Sequence, residues 1–233
     1  MFRSLILSSV KLSSAYAQFR LGTRRVSATG TICDHHCNVV HLRVLPSCID
    51  RFLSPLRFLP GALRRMLQSR WPEWFLPTNI VLKREKVGWE EEFDNENMIY
   101  QRLGPIQGSI VPICYGEAEC QATETTGTRA LVLSDVGGIS LHEDAAGGLD
   151  TDHVEAMLLE ALRQLTSLGV GHGDGKLDNY RLVGNKDRIM VIDFDSSYII
   201  EKEDPEYTAR HDARFATQRY WLVHGGKKPS MML

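Results

Sequence analysis

The sequence predicts an α+β chain organised as two lobes, and three observations carry that expectation. Short β-branched or apolar runs at 39–45, 80–83, 110–114 and 130–133 read as strands. A glycine-rich stretch at 134–148 reads as a linker, and the longest apolar stripe of helical period, at 154–168, follows it. With 233 residues, 43% hydrophobic and 24% charged, the chain has the composition of one large domain or two small lobes. Collagen-like, coiled-coil and wholly disordered chains are excluded.

The N-terminal region differs chemically from the rest. Residues 1–32 contain no acidic side chain and carry Arg3, Lys11, Arg20, Arg24 and Arg25 among many serines. That is the composition of a mitochondrial transit peptide, with a basic tail as the alternative. Residues 1–75 hold 11 Lys/Arg against 3 Asp/Glu, and residues 76–233 hold 16 against 26, which leaves a net charge of −2. That total points to neither nucleic acid nor a membrane as partner, and no run of 18 apolar residues marks a transmembrane helix. Five cysteines, Cys33, Cys37, Cys48, Cys114 and Cys120, do not make a disulfide framework, so an intracellular setting is expected. The cytoplasm comes first, with the mitochondrion as the alternative that the N-terminus offers. Cys33-Asp34-His35-His36-Cys37 with His41 has zinc-type ligands but lacks the spaced second pair of a finger, and reads as an ordinary polar segment.

The elements follow in order. A strand is expected at 39–45 and a basic helix at 56–68, in a region cut by Pro46, Pro55, Pro60 and Pro72. Ile80-Val81-Leu82-Lys83 is a strand ending in a lysine. Residues 90–103 form a helix with Phe93, Glu96, Tyr100 and Leu103 on one face, stopped by Gly104-Pro105. A polar turn through Thr125-Thr126-Gly127 separates the strands at 110–114 and 130–133. Val154, Met157, Leu158, Ala161, Leu162, Leu165 and Leu168 form the stripe of the long helix, with Asp150 or Thr151 as its cap and Gly169 at its end. After the polar loop 172–179, short strands at 181–183 and 189–192 flank the turn Gly184-Asn185-Lys186-Asp187. The acidic segment Asp193-Phe194-Asp195 follows.

Four features therefore stand in line: Lys83 ending a strand, Glu96 on the core side of the next helix, the loop His172-Gly173-Asp174-Gly175-Lys176-Leu177-Asp178-Asn179, and Asp193-Phe194-Asp195. Phosphoryl transfer from ATP needs these groups. A fixed cation meets the phosphates, hard oxygen ligands hold a divalent metal, and a carboxylate takes the proton of the acceptor hydroxyl.

On these residues the chain resembles the protein-kinase-like superfamily over roughly 78–200, and it is similar more narrowly to compact kinase-like proteins of filamentous fungi, with Trp74-Phe75-Leu76-Pro77 and Leu177-Asp178-Asn179 as shared text. The resemblance implies a two-lobed fold: an extension at 1–38, a small, incomplete N-lobe sheet at 39–133, a hinge at 134–139 and a truncated helical C-lobe at 140–233. It implies ATP and Mg²⁺ as cofactors. Lys83 would orient the phosphates with Glu96 holding it, Asp174 would be the catalytic base, Lys176 would steady the γ-phosphate, and Asn179 and Asp193 would bind the metal.

Four departures qualify the resemblance. No G-x-G-x-x-G precedes Lys83. Gly173 stands where an arginine is usual, and Asp195 where a glycine is usual. Only 38 residues follow Asp195, and Asp204-Pro205-Glu206 comes too soon for an A-P-E element. The expected function is phosphorylation of a protein Ser/Thr hydroxyl, to which Lys176 points. The alternatives are a pseudokinase or nucleotide-binding module, to which the missing glycines point, and a small-molecule kinase of the aminoglycoside or choline type. Glu201, Glu203, Asp204 and Glu206 would serve the last as an acidic pocket. The expected partners are ATP and a protein substrate or small-molecule alcohol.

Overall fold

The computed structural model describes residues 13–32, 38–47, 60–123, 126–201 and 204–225, which fall into two compact units. The first comprises the described residues up to Val87 together with Tyr115–Leu133. The second comprises Gly88–Cys114 together with the described residues from Ser134 onward.

Period-two alternation builds the first unit. β1 (Ser13–Leu21) buries Phe19 and Leu21 and exposes Gln18 and Arg20, while β2 (Arg24–Ile32) buries Val26 and Ala28. β3 (Val39–Val44) contributes Val40 and Leu42, β4 (Asn79–Lys86) Ile80 and Leu82, β5 (Cys114–Cys120) Ala118, and β6 (Thr126–Ser134) Ala130 and Val132. The strands close into a barrel in the order β1-β2-β3-β4-β6-β5, with Phe19 opposite Cys120 and Leu21 opposite Ala118 at the closing seam. Closure removes the exposed sheet edges, and three alanines among larger side chains let a narrow barrel fill. The long β3–β4 connection carries α1 (Gly61–Arg70) and a 3-10 turn at Pro72–Trp74. Buried Glu73 accepts a hydrogen bond from Thr23 Oγ1 at 3.0 Å, and its carbonyl accepts one from Arg24 Nη1 at 3.0 Å. These bonds fasten the Gly22-Thr23 turn between β1 and β2.

This architecture departs from the expected incomplete sheet. Ser13–Ile32, assigned by composition to an extension at 1–38, forms two barrel strands. The alternation of Ala17, Phe19 and Leu21 with Gln18 and Arg20 was readable, but the basic, serine-rich composition outweighed it. Residues 1–12 and the Cys33–Cys37 segment lie outside the described residues, as do 56–59 of the expected basic helix.

In the second unit, α2 (Glu90–Arg102) is followed by α3 (Thr151–Ser167), whose start is capped by Asp150 accepting from the Asp152 and His153 amides at 3.1 Å. Two small sheets run β10-β9-β7 and β11-β8, from β7 (Ile139–Ser140), β8 (Val170–Gly171), β9 (Tyr180–Val183), β10 (Arg188–Val191) and β11 (Tyr198–Ile199). Part of the expected linker is thus folded: β7 pairs with β9, and Leu141 and Ala146 are fully buried. Of the expected strand at 110–114, only Cys114 joins β5; residues 110–112 are a buried loop whose Ile110 carbonyl accepts from the Val191 amide at 2.8 Å, and Ile113 is exposed. An apolar run reports burial before it reports element type.

The largest addition is α4 (Pro205–His224), which packs along α3. Asp204 caps it by accepting from the Glu206 amide at 3.0 Å, with Pro205 in the first turn. Glu206 receives Arg163 and Arg210 at 2.5 Å, joining the two helices. Among the described residues no helix is long and apolar enough to cross a membrane.

Candidate active site

The second unit gathers five of the six residues singled out by sequence: Glu96, Asp174, Lys176, Asn179 and Asp193. The 3- and 4-residue spacing that puts Phe93 and Tyr100 in the core puts Glu96 there too. Its Oε1 accepts a hydrogen bond from the Phe194 amide at 3.2 Å. One residue earlier, Asn95 Nδ2 donates to the Ser197 carbonyl at 2.7 Å and to the Asp195 carbonyl at 3.4 Å. α2 therefore grips the segment 194–197 through two side chains.

Phe194 is fully buried and meets Tyr100 edge-on at 5.2 Å and His172 edge-on at 5.4 Å. His172 Nε2–H donates to the Ile192 carbonyl at 3.1 Å, and Ser197 Oγ donates to the His172 carbonyl at 2.9 Å. The loop 172–179 and the segment 193–197 are thus tied to each other and to α2. Burial pushes the Tyr100 phenol well above its ordinary range, with the charges of Glu96 and Asp193 adding to the effect. It remains a neutral packing partner at any physiological pH.

Asp174 accepts the Lys176 amide at 3.2 Å through Oδ1 and the Lys176 ammonium at 2.7 Å through Oδ2. That hydrogen bond, then the charges of Asp174, Asp193 and Asp195, raise the Lys176 pKa, so the amine stays a cation among three carboxylates. Asn179 Nδ2 donates to the Asp174 carbonyl at 3.3 Å, while the Ile192 amide donates to the Asn179 carbonyl at 2.9 Å. Asp193 has a φ of 66°, in the left-handed region that side-chain-bearing residues seldom adopt. Such a conformation persists only where the surroundings enforce it, and here the bonds on either side of Asp193 do so.

Gly173, in the place of the usual arginine, has a geometric cause. Its φ is +77°, and a Cβ there would stand 2.1 Å from the Ser196 carbonyl oxygen. The close approach that brings 194–197 onto the loop 172–179 leaves no room for a side chain. Gly175 faces Phe215 of α4, whose ring would lie 2.8 Å from an added Cβ.

Lys83 stands in the first unit, half-buried in β4. Its register partner is Val39, the first residue of β3, so it sits at the barrel end where residues 33–38 join β2 to β3. That connection contains no glycine.

The residue types around the loop are those that a hard divalent cation takes. The Asn179 amide nitrogen is committed to the Asp174 carbonyl, which leaves its oxygen as a candidate ligand, and Asp193 and Asp195 carry carboxylates. Among the described residues no group of three or more His, Cys, Asp or Glu side chains is arranged to hold a metal by itself.

Sequence reasoning missed Asn95, Ser197 and the Ser140 Oγ bond to Asp178 Oδ1 at 3.0 Å, which ties β7 to the loop 172–179. These bonds join groups distant in sequence, two of them through backbone carbonyls, and no spacing signals them. Two members of the acidic cluster have structural partners, Asp204 as a cap and Glu206 as an ion-pair hub; Glu201 is exposed, and Glu203 lies outside the described residues.

No family model matches the chain. The meiotic driver SPOK2 of Podospora anserina is 26% identical over 122 residues, covering 50% of this chain and 15% of that protein. Among solved structures, a divergent kinase lacking the glycine-rich loop, which regulates membrane ultrastructure of the Toxoplasma parasitophorous vacuole, superposes with a TM-score of 0.51. The two share 15% identity, and the match covers 80% of this chain and 64% of that one. The chain thus spans less than two thirds of either protein, and what the match carries is architecture: the fold of this α+β chain is kinase-like.

Proposed function

We propose that the chain is an ATP-dependent phosphotransferase that moves the γ-phosphate to an alcohol hydroxyl. The supporting observation is the cluster of Asp174, Lys176, Asn179 and Asp193, in which Lys176 pairs with Asp174, Asn179 Nδ2 donates to the Asp174 carbonyl, and the Ile192 amide beside Asp193 donates to the Asn179 carbonyl. A chain that only scaffolds has no chemical need for a left-handed aspartate or for a lysine held among three carboxylates. In this reading Asp174 orients the acceptor hydroxyl and takes its proton, and Lys176 meets the charge on the transferring phosphoryl group. Asn179 and Asp193 hold Mg²⁺, which neutralises phosphate charge when bound. Glu96 fixes the Phe194 amide and through it the direction of Asp193, and Lys83 is the fixed cation for the ATP phosphates. A protein serine or threonine is the acceptor to which Lys176 points.

The second reading, a nucleotide-binding module without turnover, is favoured by the absence of glycine from residues 33–38. A thermal-shift titration separates nucleotide binding from scaffolding. Mg·ATP should stabilise the wild type, by about 2.7 kcal/mol at a hundredfold excess over Kd. ATP with a chelator should stabilise it less, and Asp193→Asn should remove the metal-dependent part. No shift with saturating Mg·ATP contradicts the phosphotransferase reading and the nucleotide-module reading alike.

A further inference from the structure

A cleft of about 420 Å³ opens between the catalytic loop and α4, wholly within the second unit. The residues on either side of Asp174, Gly173 and Gly175, both line it. Its volume falls in the range of small-molecule sites. Its walls include the rings of Tyr198, Tyr207 and Phe215 and the carboxylate of Asp212. Neither lysine nor arginine lines it, although Arg219 lies over the Phe215 ring at 4.5 Å and Lys176 follows the lining Gly175. His211 also lines the cleft, with its Nδ1 against Asp212 Oδ1 at 3.1 Å, which leaves Asp212 Oδ2 and the aromatic faces to attract an organic cation over an anion.

A second observation is independent of the lining charge. Tyr180 and His172, both buried, also line the cleft, and each holds an orphaned polar atom. Neither Tyr180 Oη nor His172 Nδ1 has a hydrogen-bond partner. Because His172 Nε2–H donates to the Ile192 carbonyl, Nδ1 of the neutral ring presents a lone pair. Burial, with the charges of Asp212 and Asp174, pushes the Tyr180 phenol far up, so it stays protonated and can donate. Buried polar atoms without partners call for a group that the protein itself does not supply.

We propose that this cleft is the acceptor site and that it takes an organic cation carrying the hydroxyl to be phosphorylated. The ammonium or guanidinium group lies against Asp212 and the aromatic rings, and polar atoms of the ligand pair with Tyr180 Oη and His172 Nδ1. The inference rests on the phosphotransferase reading and names the substrate class for it. In the transfer, the acceptor oxygen bonds to the γ-phosphorus as the bond to the bridging oxygen of ATP breaks. That electron pair leaves on ADP, and the acceptor proton goes to Asp174. The same chemistry occurs in a free amino alcohol or amino sugar and in a serine flanked by basic residues, and the test has an arm for each.

The full chain is titrated calorimetrically with glucosamine against glucose, and with an arginine-flanked serine peptide against its glutamate-flanked counterpart. The same samples are scored for stabilisation by Mg·ATP. The cationic member of at least one pair should bind roughly tenfold more tightly, in line with a charge-assisted contact, and Asp212→Asn and Phe215→Leu should each remove most of the preference. Both substitutions fall on residues that are not fully buried, so the fold should tolerate them. Equal binding within both pairs overturns the cleft assignment, as does a preference that survives both substitutions, even where Mg·ATP still stabilises the chain. A cation preference without any Mg·ATP binding overturns the phosphotransferase reading instead.

Discussion

Replacing Gly173 by alanine puts a methyl carbon 2.1 Å from the Ser196 carbonyl oxygen and 3.1 Å from its carbon, in a residue with φ of +77°. The left-handed conformation alone costs an L-residue about 1–2 kcal/mol. The clash adds to this because the Ser196 backbone cannot retreat freely. Ser197 Oγ holds the His172 carbonyl at 2.9 Å, Asn95 holds the Ser197 carbonyl at 2.7 Å, and the Ser197 amide donates to the Phe194 carbonyl at 3.2 Å. Losing one or two of these bonds costs about 1 kcal/mol each. The sum is about 2–4 kcal/mol, read as a drop of about 4–16 °C in melting temperature for a chain of this size. Urea unfolding followed by circular dichroism measures it directly. Gly175→Ala is the matched control: its clash is with the edge of the part-exposed Phe215 ring, which can swing away, so its loss should stay under about 1 kcal/mol. A Gly173→Ala protein within about 0.5 kcal/mol of wild type would refute the claim that close backbone approach dictates this glycine.

Other predictions follow from the same contacts. Glu96→Ala leaves the buried Phe194 amide without its acceptor and should cost about 1–3 kcal/mol by denaturant unfolding, while Glu96→Gln should recover most of that stability. Lys176→Met should leave stability within about 0.5 kcal/mol of wild type, because the pair with Asp174 has an exposed amine, yet slow phosphate transfer by roughly 10²–10³-fold. Arg163 and then Arg210 hold the Glu206 carboxyl down at about 2, from an ordinary value of 4.5. A depressed carboxyl contributes stability that is complete above the unfolded value and is lost as pH falls through the folded one. The melting-temperature gap between wild type and Glu206→Gln should therefore narrow from pH 4.5 to about pH 2 and stay constant above that window.

The candidate cluster was legible because the chemistry proposed for it needs particular residue types at particular spacings. His172, Asp174, Lys176, Asn179 and Asp193 could be read without a structure, and so could α2 and α3, whose large buried side chains repeat at helical period. α4 was not legible for a physical reason. Its buried face is Ala209, Ala213, Ala216 and Thr217 with Tyr220, small residues that allow close packing but give a weak hydrophobic signal. The barrel seam between β1 and β5 depends on pairing across about a hundred residues, which local pattern does not encode. The cleft was hidden for the same reason. Tyr180, Tyr198 and Asp212 come from three separate elements, and their carboxylate is not among those that the acidic run near residue 204 brought to notice.

The central claim is that Asp174 takes the acceptor proton in a phosphoryl transfer from ATP. Single-turnover transfer of labelled γ-phosphate from Mg·ATP, offered both a protein extract and a panel of amino alcohols and amino sugars, tests it most directly. The wild type should transfer label to an acceptor, and Asp174→Asn, with an unchanged melting temperature, should do so at least about 10²-fold more slowly. Equal rates for the two proteins, or a wild type that binds Mg·ATP and transfers nothing to either set of acceptors, would contradict the account.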